Sequence, residues 1–104
     1  MAQFDVYENL NPKTCSDVPY LLDIQADLFD TLITRVVIPL WWADKFGKPA
    51  TKLNPQVEID KKTLILSTAE LAGVSKKILG KHVVSLCLHR HEIIGALDFL
   101  FTST

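Results

Sequence analysis

Apolar and polar residues alternate with a period of two along most of the chain, then switch to helical spacing near its end. QFDVYE (3–8) sets Phe4 and Val6 against Gln3, Asp5 and Tyr7, the pattern of a half-buried strand. YLLDIQ (20–25) and RVVIPL (35–40) are dense in large or β-branched apolar residues and predict two more strands. Pro39 has no amide hydrogen, so its strand is expected at a sheet edge or with a bulge. QVEI (56–59) and TLILST (63–68) flank DKK and predict a hairpin, while LAGVS (71–75) fits either a strand or a turn. NPKTCSDVP (11–19) and WWADKFGKPATKLNP (41–55) hold the turn formers and read as loops, the second with room for a short helical turn.

The pattern changes after Gly80. From Ser85 to Phe101 there is no proline, and at about 100° per residue Leu86, Ile93, Ile94, Leu97, Leu100 and Phe101 share one helical face. That face is expected to pack on the sheet. Leu88, Gly95 and Phe99 fall nearly opposite and make a second, narrower apolar stripe. A helix apolar on two sides is covered on two sides. In a chain this short the expected second cover is a copy of itself, so Leu88, Gly95 and Phe99 are the expected homodimer contacts, with Gly95 allowing close approach.

A length of 104 residues suits one domain spanning 1–104, and 48% apolar content supplies a core and argues against disorder. A net charge of −1 with scattered lysines leaves no basic footprint for unaided nucleic-acid binding. Any contact with DNA is expected to run through another protein. Cys15 and Cys87 make no disulfide framework and are expected as buried thiols in a reducing cytosol. No secretory leader pattern opens the chain, and no apolar run approaches roughly 18 residues, which together predict a cytoplasmic protein.

Candidate chemistry is sparse. His89 and His91 would sit about 200° apart on a helix and cannot grip one ion. Cys87, His91 and Asp98 align on one side and form a possible zinc set, but no CxxC or HExxH spacing supports it, so no metal is expected. Asp23, Asp27, Arg35 and a histidine could in principle steady a phosphorane during RNA cleavage. Ion pairs at strand ends account for Asp23, Asp27 and Arg35 with fewer assumptions, so no catalytic residues are assigned. Trp41 and Trp42 are adjacent, so in an extended segment one is expected in the core and the other exposed. Glycines at 47, 73, 80 and 95 make no phosphate loop, and no cofactor is expected. The residues taken alone describe a small α+β binding protein.

LDIQADLFDTLITRVVIPL (22–40) resembles the CcdB family of plasmid- and chromosome-borne toxins, which carry a similar strand, an acidic turn and then an R-x-VIPL strand. AQFDVY at the start, LNPQVEI (53–59), LILST and RHEIIGALDFL (90–100) extend the likeness over essentially the whole chain. The resemblance implies an α+β fold, a small SH3-like barrel of twisted antiparallel strands with a C-terminal helix, in a symmetric homodimer. It also implies a toxin that is not an enzyme, one that binds the A subunit of DNA gyrase and traps the cleaved-DNA complex. A CcdA-like antitoxin would neutralise it and join it in repressing their shared operon, supplying the contact with DNA. Two alternatives stand beside this: a non-toxic homologue that only binds antitoxin, and a ribonuclease like the similar MazF/PemK barrels.

Carried over by position, the family's gyrase contacts fall on Gln3, Phe4 and Tyr7, on Ala26, Leu28 and Phe29, and on Asp98, Phe101, Thr102, Ser103 and Thr104. The last two depart from the pattern, since toxic members end in Gly-Ile. Serine resists backbone angles that glycine adopts freely, and threonine in place of isoleucine loses roughly 1–2 kcal/mol of apolar burial. The expectation is gyrase binding that is weakened rather than abolished.

Overall fold

The computed structural model describes residues 2–29 and 31–102. Among these residues seven strands form one antiparallel sheet: β1 (Asp5–Asn9), β2 (Tyr20–Asp23), β3 (Thr34–Trp42), β4 (Gln56–Ile59), β5 (Lys62–Leu66), β6 (Ala72–Ser75) and β7 (Leu79–Ser85). A short helix, α1 (Ala43–Phe46), follows β3, and α2 (Arg90–Thr102) closes the described chain. The strand order is β4-β5-β3-β2-β1-β7, with β6 paired to β3 beside β5. The result is a curled half-barrel carrying a C-terminal helix, the α+β fold that the residue pattern and the resemblance both implied.

β3 is the central strand. Its first half pairs with β6, its last three residues pair with β5, and β2 runs along its other edge. Pro39 therefore lies in an interior strand, not at the edge or bulge expected of it. Its carbonyl accepts from the Ser67 N–H at 3.0 Å, on the side where β3 passes from β6 to β5. The missing N–H would point the same way, so the β2 ladder loses nothing there.

Alternation along the strands builds two apolar layers. Val6, Leu22, Ile38, Leu40, Leu64 and Leu66 face one side, and α2 covers them with Ile93. Val18, Leu21 and Val37 face the other side with Trp41, Val74 and Ile78. Trp41 and Trp42 belong to β3 rather than a loop, and each is half-buried on its own face, so neither is the exposed anchor expected. The β4–β5 turn is Asp60-Lys61, both at positive φ (52° and 64°), which suits a two-residue hairpin.

The C-terminal reading needs the larger correction. Residues 79–85 form β7 against β1, and a 3-10 turn at Cys87–His89 precedes α2, so the helix starts at Arg90 rather than Ser85. No residue of this outer strand is fully buried, and Leu79 and Val83 lean on different apolar layers, so it carries no clear period-two stripe and the sequence pattern hid it. Ile93 and Ala96 are the buried residues of α2, with Ile94 and Leu97 packed at the rim. Leu86 is buried from the turn before the helix, but Phe101 is 69% exposed and is not a sheet-facing residue. Both cysteines are exposed, contrary to the buried thiols expected. No helix among the described residues is long and apolar enough to cross a membrane.

Ile93→Ala should cost about 2–5 kcal/mol by urea unfolding, because it opens a cavity under α2. Phe101→Ala should stay within about 0.5 kcal/mol. A large loss for Phe101→Ala would put that ring back in the core.

Candidate functional site

β1 begins after a strained turn. Phe4 has φ 72°, a backbone region that costs a bulky residue on the order of 1–3 kcal/mol. It is held there from two sides: its N–H donates to the Asp23 carbonyl at 2.6 Å, and its carbonyl accepts from the Leu86 N–H at 2.7 Å. Its ring is 3% exposed, with the Arg90 guanidinium 5.5 Å from the ring centre. Phe4 is thus a core residue and cannot present its ring to a partner. What the turn does present is Gln3.

Gln3 is fastened to the segment between β2 and β3. Its N–H donates to Asp27 Oδ1 at 2.6 Å, and its side-chain amide donates to the Ile24 carbonyl at 3.0 Å. Ala26 and the 3-10 turn Asp27–Phe29 follow, and they place Leu28 outward, 84% exposed. Leu32 and Ile33 are exposed in the same segment. The side chain of Phe29 lies outside the described residues, as do Ser103 and Thr104.

Beneath this segment lies a fully buried ion pair. Arg35 Nε donates to Asp23 Oδ2 at 2.9 Å, and a terminal guanidinium nitrogen reaches the same oxygen at 2.7 Å. Burial pushes the Asp23 carboxyl above the ordinary aspartate range, while the Arg35 fork and the Gln25 N–H hold it down. Gln25 completes the arrangement. Its N–H donates to Asp23 Oδ1, its carbonyl accepts from Arg35, its side-chain oxygen accepts from the Val36 N–H, and its side-chain nitrogen donates to the Thr34 carbonyl. The ion pairs foreseen at strand ends are therefore real for Asp23 and Arg35, whereas Asp27 caps Gln3 instead. Arg35 is wholly buried, so the guanidinium that RNA cleavage would need does not reach a surface.

Tyr7 is buried on the opposite face of β1 from Val6, and its hydroxyl donates to Asp5 Oδ2 at 3.4 Å. Asp5 Oδ1 lies 3.2 Å from His82 Nε2 on β7, and the His82 ring meets the Tyr7 ring edge-on at 5.6 Å. A register shift in the β1–β7 pairing puts His82 directly opposite Tyr7. Burial first, then the Asp5 charge, pushes the Tyr7 phenol up to about 12.

The helix end forms a separate group. Asp98, Phe101 and Thr102 are exposed, and the Thr102 hydroxyl donates to the Asp98 carbonyl at 2.6 Å. Asp98 and Thr102, together with Gly95 and Phe99, line a cleft of about 730 Å³ between α2 and the 49–56 segment, whose other wall includes Pro49 and Pro55. A Cβ on Gly95 would meet nothing within 4 Å, and Leu88, in the turn before the helix, is 94% exposed. Because Cys87 precedes the helix, its supposed alignment with His91 and Asp98 does not arise. No group of three histidine, cysteine or acidic residues with metal-binding placement occurs among the described residues.

The structure thus joins Gln3, Ala26 and Leu28 into one unit. It buries Tyr7 beside Asp5 and His82 instead, and leaves the exposed Asp98, Phe101 and Thr102 as a second patch. Gln25, Asp5 and His82 were missed from sequence. Gln25 could have been found: it lies two residues after an aspartate ending one strand, in the turn to a strand whose second residue is arginine.

The chain has two tyrosines, Tyr7 and Tyr20, and burial raises both phenols. A phenol with a raised pKa keeps its proton in the folded state after the unfolded chain has lost it. Its stabilising contribution is therefore complete below about pH 10 and falls as pH climbs towards about 12. Phenolate absorbance at 295 nm should accordingly rise late, and Tyr7→Phe should flatten the loss of stability over that window. An early titration of both phenols near pH 10 would contradict the packing around Tyr7.

A model of the CcdB protein family matches residues 3–103, nearly the whole chain, and takes in every element described above. Fold and match agree, and the chain belongs to the CcdB family, whose membership supports a toxin role within a toxin–antitoxin system.

Proposed function

We propose that this chain is the toxin of a type II pair that binds the A subunit of DNA gyrase and traps the gyrase–DNA cleavage complex. A CcdA-like antitoxin neutralises it in the cytoplasm and co-represses the shared operon with it. The carrying observation is the fastening of Gln3 to Asp27 and Ile24, which sets Gln3 beside the protruding Leu28. An exposed leucine on a short, hydrogen-bonded turn is a preformed anchor for a partner pocket, with little ordering entropy left to lose. Ala26 extends that contact, Asp98, Phe101 and Thr102 add the helix end, and Tyr7, being buried, supports β1 rather than touching the partner. Ser103 and Thr104 continue it in sequence, in place of the family's Gly-Ile. Leu88, Gly95 and Phe99 serve the homodimer, a role supported by the exposure of Leu88 and by the cleft that Gly95 and Phe99 line.

The Ser103–Thr104 ending favours one second reading, a homologue that retains antitoxin binding and has lost the poison. Titration calorimetry with a gyrase A fragment separates the two. Leu28→Asp should abolish binding, and the double change Ser103→Gly, Thr104→Ile should tighten it by roughly tenfold to a thousandfold. Equal, tight binding by wild type and the double variant would remove the role given to the tail. No binding by either, with tight binding to the antitoxin, would leave the second reading. Light scattering should give a dimer for the wild type and a monomer for Phe99→Asp; a wild-type monomer at micromolar concentration would overturn the homodimer.

A further inference from the structure

We propose that Arg35 and Gln25, neither of them in the contact set, are positioning residues that hold the Ile24–Thr34 segment in its binding-ready shape. This inference rests on the gyrase-binding reading for its affinity readout only. Arg35 is wholly buried and cannot touch a macromolecule, so any effect it has on binding passes through other residues. Its fork grips the Asp23 carboxylate at the end of β2 and the Gln25 carbonyl two residues later. Gln25 then closes the base of the segment: its amide group bridges Thr34 and Val36 on β3, while its own N–H returns to Asp23. Backbone pairing adds the Ile24 N–H to the Val36 carbonyl at 3.0 Å. Beyond this base, the described residues between 26 and 33 expose Leu28, Leu32 and Ile33 and bury no side chain.

That imbalance carries the inference. Apart from Ile24, which packs on the core at the base, the described residues of the segment expose three large apolar side chains and offer little apolar packing to fix its shape. Its order comes from the polar base, from the bonds of Gln3 to Asp27 and the Ile24 carbonyl, and from the Lys76 N–H to the Ile33 carbonyl at its far end. Low local burial means that opening requires the loss of few contacts, so the base sets the population of the ordered form. Apparent affinity falls in proportion to that population. Lysine in place of Arg35 would keep the charge but lose the planar fork, and so could not grip Asp23 and Gln25 together.

The test compares wild type, Gln25→Ala and Arg35→Lys by amide hydrogen exchange and by titration with a gyrase A fragment. Arg35→Lys risks the fold. Gln25→Ala, at a half-buried position, keeps the test readable. Gln25→Ala should speed exchange at residues 26–29 and 31–34 by about tenfold or more, leave the Leu64–Leu66 amides of β5 unchanged, and weaken gyrase binding by about tenfold. Antitoxin binding outside this segment should hold. Unchanged segment exchange in Gln25→Ala would overturn the proposal, as would faster exchange with undiminished affinity. If the wild type binds no gyrase, the gyrase reading fails on its own and the exchange comparison still decides whether the clamp exists.

Discussion

The buried Asp23–Arg35 pair is the interaction on which the junction of β1, β2 and β3 depends. Two charges removed from water are tolerated only when their remaining donors and acceptors are satisfied. Here Asp23 Oδ2 takes the guanidinium, Oδ1 takes the Gln25 N–H, and the guanidinium also reaches the Gln25 carbonyl. Deleting one partner would strand the other, a loss of about 3–5 kcal/mol in comparable sites. The pair also fixes where the chain leaves β2 and enters β3. The Asp23 carbonyl, for its part, holds the positive-φ turn at Phe4. One aspartate thus joins the start of β1, the end of β2 and the start of β3.

Strain at Phe4 and exposure at Leu28 follow from that junction. The turn is tolerated because its N–H and carbonyl are both claimed and its ring fills the core between the sheet and α2. In consequence Gln3 emerges with its backbone and side chain both tied to the neighbouring segment. Core packing is therefore used to stiffen a surface. The helix contributes differently: Ile93 and Ala96 seat it, leaving its outer face and last turn exposed.

Much of this was legible in the residue pattern. β1 to β5, the hairpin at Asp60-Lys61 and the sheet-facing side of α2 follow from period and turn chemistry. β7 was not legible, because a two-sided edge strand next to a helix blurs the change from period two to helical spacing. Pro39 misled because its missing donor faces the gap where β3 changes partners, a property of sheet order that the sequence does not display. The candidate contacts were reached through family resemblance, and the structure removes the Phe4 ring from the surface. The clamp under the Ile24–Thr34 segment was only half legible: Asp23 and Arg35 were read as an ion pair, but their burial and the part of Gln25 depend on tertiary packing.

The central claim is that a preformed Gln3–Leu28 surface, held from beneath by Asp23 and Arg35, is the face that gyrase A reads. A photo-crosslinking residue at Leu28 tests it most directly, with one at Leu10, another exposed leucine, for comparison. The account predicts a crosslink to gyrase A from position 28 and none from position 10. A crosslink from position 10 with none from position 28 would contradict it.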